Sequence, residues 1–426
     1  MDFQENFLYF IWQFRLFNTR ELFCTEGKSM AILNPGLLNK HAGPDFSQAR
    51  LILDGTTWVG NIEIHIKSSD WMLHGHQHDG AFESVILHAV YHHDKPVYRK
   101  DGSAIPVLVL KGLFDEQLLA TYSTMITSSN RFPCQPQIGS VPDIIISGFL
   151  SRVLAERFEQ KSAEVLEQLE VLKGDWDETF YHFMARNFGF KVNADGFELL
   201  AGSVSRQVFA KHKDDPKQIA ALVFGQSGFL AQDFAEDYPA KLKKEYDFLR
   251  KKYQLDPIDV SVWKFLRMRP QNFPTIRLAQ FSALIFSSTH LFSKILEIKN
   301  LKVLYELFED LPVDNYWRTH YHFNKTTKKV NLQLGRTSVQ NILINTVCLF
   351  LFSYGRYTDR QEIIDRALDF LEEMPAENNS IIGYYIDSGI RPDNSFMSQA
   401  LLQLNKCYCS QKKCLNCGIG IHILKK

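Results

Sequence analysis

Between residues 28 and 110 apolar and polar positions tend to alternate, which is the period of a pleated strand. The pattern predicts strands over 28–34, 49–53, 58–67, 84–91 and 104–110. Asp54-Gly55, between the second and third of these, is a two-residue hairpin signal, because a type I′ turn needs left-handed backbone at both central residues. Residues 1–24 read as an amphipathic helix. From about residue 142 the spacing changes to that of helices, over Ile144–Val171, Trp176–Phe188 and Lys241–Tyr253. Gly189–Asn193 and Phe224–Gly228 break the helical run. Pro133, Pro136, Gly139 and Pro142 mark 131–142 as the linker. The fold expected is α+β: a mixed α/β domain over 1–130, an α-helical domain over 142–404 and a short Cys-rich tail over 405–426.

Composition narrows the class. With 426 residues and 45% hydrophobic content, a large core is available. The formal net charge of +0 gives no overall electrostatic footprint for nucleic acid, so any basic surface is local. No run approaches the ~20 apolar residues that span a bilayer. Phe7–Phe17 is interrupted by Gln13 and Arg15, and Asp2 and Glu5 stand where a signal peptide is basic. A cytoplasmic protein without a membrane partner is expected. Seven Cys, clustered toward the C-terminus, do not suit a secreted disulfide framework. Nothing in the sequence sets the oligomeric state.

The polar chemistry concentrates in 41–94, which holds eight of the fourteen His. Alternation puts Glu63, His65 and Lys67 on one face of a strand and Ile62, Ile64 and Ile66 on the other. A carboxylate, an imidazole and an ammonium on a strand that otherwise reads as core cost desolvation unless they pair or bind a metal. His74-x-His76-x-His78-Asp79 reads as an exposed loop or as a turn carrying second-tier metal ligands, His74, His76 and Asp79. His88, inside the apolar run Val85–Val90, reads as a hydrogen-bonded core residue.

Gly43-Pro44-Asp45-Phe46, a hairpin and then Glu63-x-His65 resemble the pattern of the PD-(D/E)xK restriction-endonuclease-like superfamily. The resemblance implies a nuclease-like domain in which Asp45 and Glu63 hold Mg²⁺. The residue two after the Glu positions the attacking water, and a Glu on the first helix, here Glu5, assists. Carboxylate oxygens suit that hard cation, which stabilises charge developing on the phosphate. His65 stands where the pattern has Lys, and Lys67 lies one pleat further on. The whole chain also resembles an uncharacterised bacterial family, domain of unknown function 2851. That resemblance is carried by Ala42–Phe46, Gly60–Trp71, Val85–His88, Phe224–Leu230, Arg269–Arg277 and Lys413–Gly420.

Two further features carry chemistry. Cys407-x-Cys409-x4-Cys414-x2-Cys417 has metal-ligand spacing. Its last three Cys also match a plant-type [2Fe–2S] spacing, so zinc and an iron–sulfur cluster both stand as expectations. Some nucleases of the resembled superfamily join three C-terminal Cys to a distant N-terminal one, for which Cys24 and Cys134 are candidates. Between 241 and 277 ten Lys/Arg face four acids, with aromatics interleaved. Arg267, Arg269 and Arg277 are candidates for holding a nucleic-acid backbone. Three functions stay open: a Mg²⁺-dependent phosphodiesterase on nucleic acid, a non-catalytic nucleic-acid or protein-binding module on a degenerate nuclease fold, and a His/carboxylate metal hydrolase of a small substrate.

Overall fold

The computed structural model describes residues 3–288 and 290–426, so Met1 and Asp2 lie outside the described residues. The chain divides into two compact units. The first comprises Met1–Phe149, Gly383–Ile390 and Gln403–Lys426, and the second Leu150–Ile382 and Arg391–Leu402.

In the first unit one sheet runs in the order β1-β2-β4-β5-β6-β7, with β3 also paired to β4. The strands are β1 (Leu22–Phe23), β2 (Ser29–Asn34), β3 (Leu37–Leu38), β4 (Phe46–Leu53), β5 (Thr56–Lys67), β6 (Val85–His92) and β7 (Val107–Val109). Asp54 and Gly55 have φ of 49° and 78°, and Leu53 faces Thr56, so the two-residue turn forms as its residues dictate. Up to β5 the pairing is antiparallel; β6 and β7 add in parallel. Parallel strands covered on both faces read as continuous apolar runs, and β6 is buried from Val85 through Tyr91.

The N-terminal helix is shorter than its pattern. It runs only Glu5–Gln13 (α1). Arg15 turns left-handed at φ 50°, and the chain then supplies the edge strand β1. Phe7, Leu8 and Ile11 are fully buried, and Phe7 stacks on Tyr122 of the helix Glu116–Thr127 with ring centroids 5.1 Å apart.

The stretch expected as a linker, 131–142, is not an exposed connection. Phe132, Cys134, Ile138 and Val141 are buried within the first unit. Their apolar side chains outweigh the Pro/Gly signal, and the division between units falls at 149/150. The Cys-rich tail belongs to this unit too.

The second unit is largely helical. Its helical run Arg336–Tyr357 is long and apolar enough to cross a bilayer, a length that sequence reading missed. Its most apolar window is 78% buried inside the protein, as in a core helix.

Candidate metal centre

β5 overruns its antiparallel partner. β4 begins at Phe46, opposite Ile62, so the amides of Ile64 and Ile66 on that side meet no strand. Carboxylates complete the ladder. Asp45 Oδ2 accepts from the Ile64 N–H at 2.9 Å, and Glu5 of α1 accepts from the Ile66 N–H. The Asp45 N–H in turn donates to Glu63 Oε2 at 3.1 Å. Tyr9, one helical turn after Glu5, donates its hydroxyl to Asp45. Glu5, Asp45 and Glu63, from a helix, a loop end and a strand, thus meet at one place.

Two imidazoles close on the free oxygen of Glu63, and a third joins them through His65. Glu63 Oε1 lies 3.4 Å from His65 Nε2 and 3.2 Å from His76 Nε2. His65 Nε2 lies 3.1 Å from His74 Nδ1. One nitrogen from each of His65, His74 and His76 falls within 4.8 Å of the others. Gly75 makes this convergence. At φ 75° it ends the turn Asp70–Leu73 (α2) and starts the turn His76–His78, so His74 and His76 both point back at β5. Asp94 secures the loop by accepting from the Ser69 amide and from the Ser68 and Ser69 hydroxyls. Trp71, 1% exposed, anchors it in the core.

The electrostatics are unusual. Burial first, then Asp45 and Glu5, raises the proton affinity of Glu63; burial also raises Asp45 and Glu5. Burial and the neighbouring imidazoles hold His65 at about 2, a neutral ring. His76 is lowered by burial and then by His74. Although His76 Nε2 is 3.2 Å from Glu63, it makes no hydrogen bond and is buried. The contact is close but misdirected. His65 and His74 share a hydrogen bond, while His76 Nε2 is left without a partner beside them. A tetrahedral ion with ligands at about 2.0–2.1 Å spaces them by ~3.3 Å. Three separations, His65–His74, His65–Glu63 and His76–Glu63, are 3.1–3.4 Å, and the three imidazoles lie within 4.8 Å of one another.

Other expected site residues lie elsewhere. Lys67 is exposed at the end of β5, and its amide donates to Asp70. Asp79 faces solvent and caps the next turn by accepting from the Ala81 N–H. Sequence reading took His88 as a hydrogen-bonded core residue, which it is, and passed over its contact with the site and Tyr9. His88, in β6 directly across from Glu63, has its Nε2 2.8 Å from His65 Nδ1, and burial lowers it to about 3. Tyr9 grips Asp45. The available signals were a polar residue inside an otherwise apolar parallel strand, and the i,i+4 spacing from Glu5.

The cysteines assemble differently from their linear spacing. Cys134, Cys409, Cys414 and Cys417 are brought together, and all four thiols are raised chiefly by burial. The other three thiols add to the shift of Cys134. Cys407 and Cys409 on the turn Asn405–Cys409 are both partly exposed, and it is Cys409 whose thiol interacts with Cys414 and Cys417. Cys417 precedes the helix Gly418–Lys425, and its thiol accepts from the Ile419 and Gly420 amides. Any Cβ on Gly420 would sit 2.4 Å from the Cys414 carbonyl, so only glycine lets the helix approach. Tyr385 Oη lies 3.4 Å from Cys409 Sγ.

Of the expected backbone-binding arginines, Arg267 and Arg269 are exposed, but Arg277 is buried within the second unit. It sits in the first turns of helix Pro274–Ser287, whose residues through Leu284 are all buried, so it cannot belong to an open basic face.

These features define an α+β protein whose first unit carries an imidazole–carboxylate cluster, buried at Glu63 and His65 and open at His74, together with a group of four thiols. The chain belongs to the family described as "Protein of unknown function (DUF2851)", which matches residues 5–380. That match ends before the cysteine tail. No curated protein and no solved structure matches the chain.

Proposed function

We propose that this protein is a metal-dependent hydrolase whose bond of attack is a phosphodiester in nucleic acid. The reading rests on one observation: a nitrogen of each of His65, His74 and His76 converges within 4.8 Å, with Glu63 against two of them and Asp45 and Glu5 beside Glu63. Buried acids that prefer to stay protonated, beside imidazoles held neutral, lack a positive charge, and a divalent cation supplies it. Mixed imidazole and carboxylate donors suit Zn²⁺ or Mn²⁺ better than Mg²⁺. Such an ion would polarise the phosphoryl oxygen and lower the pKa of water. Glu5 and Asp45 are then the groups that orient water and take its proton. His88 fixes the ring of His65, as a partner behind a metal ligand does.

The test is incubation of purified protein with labelled single- and double-stranded DNA and RNA, with Zn²⁺, Mn²⁺ or Mg²⁺ added in turn. Cleavage that disappears in Glu63→Gln supports the proposal. Absence of cleavage under every condition, or cleavage unchanged in Glu63→Gln, ends it. The three-imidazole set also favours a second reading, a metal hydrolase of a small substrate. Metal retained with Glu63 dependence, but hydrolysis only of small phosphoesters or amides, selects that reading.

The thiols support a structural cofactor. Cys134, Cys409, Cys414 and Cys417 would be its ligands, with the Cys417 thiolate favoured by the helix N-terminus. Four sulfurs around one zinc lie ~3.8 Å apart at Zn–S of about 2.3 Å. Among the described residues the group converging within 4.8 Å is the imidazole trio and not the thiols. Cys409-x4-Cys414-x2-Cys417 keeps the plant-type spacing, and that favours an iron–sulfur cluster over zinc. An anaerobic preparation with visible absorption and stoichiometric iron, lost in Cys134→Ala and kept in Cys407→Ala, is expected. Zinc alone, or no dependence on Cys134, overturns the assignment.

A further inference from the structure

The helical unit contains a cavity of about 440 Å³ between the turn that follows Phe188 and the segment 267–277. Its charged lining is Lys191, Arg267, Arg269 and Arg277, and no acid lines it. At its wall Arg277 is only 6% exposed. The guanidinium donates to Gln280 Oε1 at 3.0 Å, Asn272 Oδ1 at 2.7 Å and Ser338 Oγ at 3.3 Å. All three acceptors are neutral. Phe190 covers one face, its ring centroid 4.5 Å from the guanidinium carbon. Nε is buried and has no hydrogen-bond partner. Among the described residues no carboxylate pairs with this arginine, and burial lowers its proton affinity to about 10.

A buried guanidinium normally sits against an acid, because an uncompensated charge in low dielectric is costly. Here the fork is held rigid by neutral acceptors and an aromatic lid, with one donor left over. Two exposed arginines and a lysine share its cavity. Arginine forks match phosphate oxygens, and a phosphate group carries about 1.5–2 negative charges against one for a carboxylate. The cavity volume falls within the ~300–1,000 Å³ of small-ligand sites, and its concave form suits a compact molecule rather than a strand.

We propose that this cavity binds a small phosphate-bearing anion of nucleotide size, with Arg277 as the buried anchor and Arg267, Arg269 and Lys191 closing on the phosphate oxygens. The site is separate from the imidazole–carboxylate centre and does not depend on that centre being catalytic.

The test is calorimetric titration of the full chain with AMP and with pyrophosphate, against citrate and a single-stranded oligonucleotide at equal ionic strength. Saturable one-to-one binding of AMP or pyrophosphate is expected. Arg267→Ala/Arg269→Ala, at exposed positions that leave folding intact, should weaken it by at least about tenfold, while Glu63→Gln leaves it unchanged. Arg277→Gln should abolish it, with circular dichroism confirming the fold. The proposal is overturned by absence of saturable binding to the wild type, by unchanged affinity in the double variant, by citrate binding as tightly as pyrophosphate, or by binding of the oligonucleotide alone.

Discussion

The imidazole–carboxylate centre of the first unit and the arginine cavity of the second are opposite solutions to one electrostatic problem. The first gathers Glu5, Asp45 and Glu63 with imidazoles, of which His65 is held neutral, and among the described residues no Lys or Arg pairs with it. The second gathers three arginines and a lysine with no acid. Ordinary cores pair such charges internally. Glu178 of the second unit, for example, is raised by burial, but the nearby Arg206 charge and amide oppose that rise. Where the complement is left out of the chain, it is expected from a ligand. The sign of the missing charge then names the ligand: a cation for one site, an anion for the other.

The sharpest way to break this comparison is to supply each complement. Zn²⁺ or Mn²⁺ at a hundredfold excess over Kd should stabilise the wild type by about 2.7 kcal/mol, read as a shift in thermal unfolding. Glu63→Gln should abolish that gain. It should change the metal-free stability by less than about 1 kcal/mol, since the amide keeps the size of the group and its contact with the Asp45 amide. A metal-independent Tm in the wild type would remove the first half of the contrast.

A smaller effect tests the layer behind the metal. His88→Phe keeps the ring volume but removes the partner of His65 Nδ1. Metal affinity should fall about 10–100-fold, measured by competition with a chromophoric chelator. An unchanged affinity would make the 2.8 Å contact only a core hydrogen bond.

Salt should separate the two sites. Arg267 and Arg269 are exposed, so raising ionic strength from about 0.05 to 0.5 M should weaken AMP binding several-fold. The metal centre, whose Glu63 and His65 are buried, should respond less under the same change. Equal responses would blur the distinction.

The smallest expected effect concerns the loop that carries His74 and His76. Burial pushes Asp94 up, but the Ser69 hydroxyl and amide and the Ser68 hydroxyl outweigh it and hold it at about 2. Its ordinary value is 3.8, so the unfolded chain binds the proton first as pH falls. The contribution is complete above about pH 4 and disappears as pH drops through 2. Asp94→Asn should flatten the acid limb of the stability curve by a fraction of a kcal/mol, because the group faces solvent. Parallel acid limbs in the two proteins would show that the three hydrogen bonds do not steady this loop.

Much of the first unit was legible along the chain because its signals are local. Alternation and the Asp54-Gly55 pair specify β4 and β5 and the turn between them, since side-chain period and backbone handedness depend only on neighbouring residues. The same alternation put Glu63 and His65 on one face. The Cys spacing pointed to a ligand cluster. Other features depend on contacts between distant segments. α1 stops at Gln13 because the following residues are recruited to a sheet edge. His88 meets His65 only through the parallel register of β5 and β6. Cys134 meets Cys409, Cys414 and Cys417 only through tertiary contact, and a segment rich in Pro and Gly is buried by its own Phe132 and Ile138. Arg277 reads as one cation in a basic stretch; only packing removes it from water and from every acid. Sequence by itself determined the strands, the hairpin and the kinds of donor atom available. Tertiary structure decided which donors share a point and which charges stay uncompensated, because burial and convergence are properties of residues far apart in the chain.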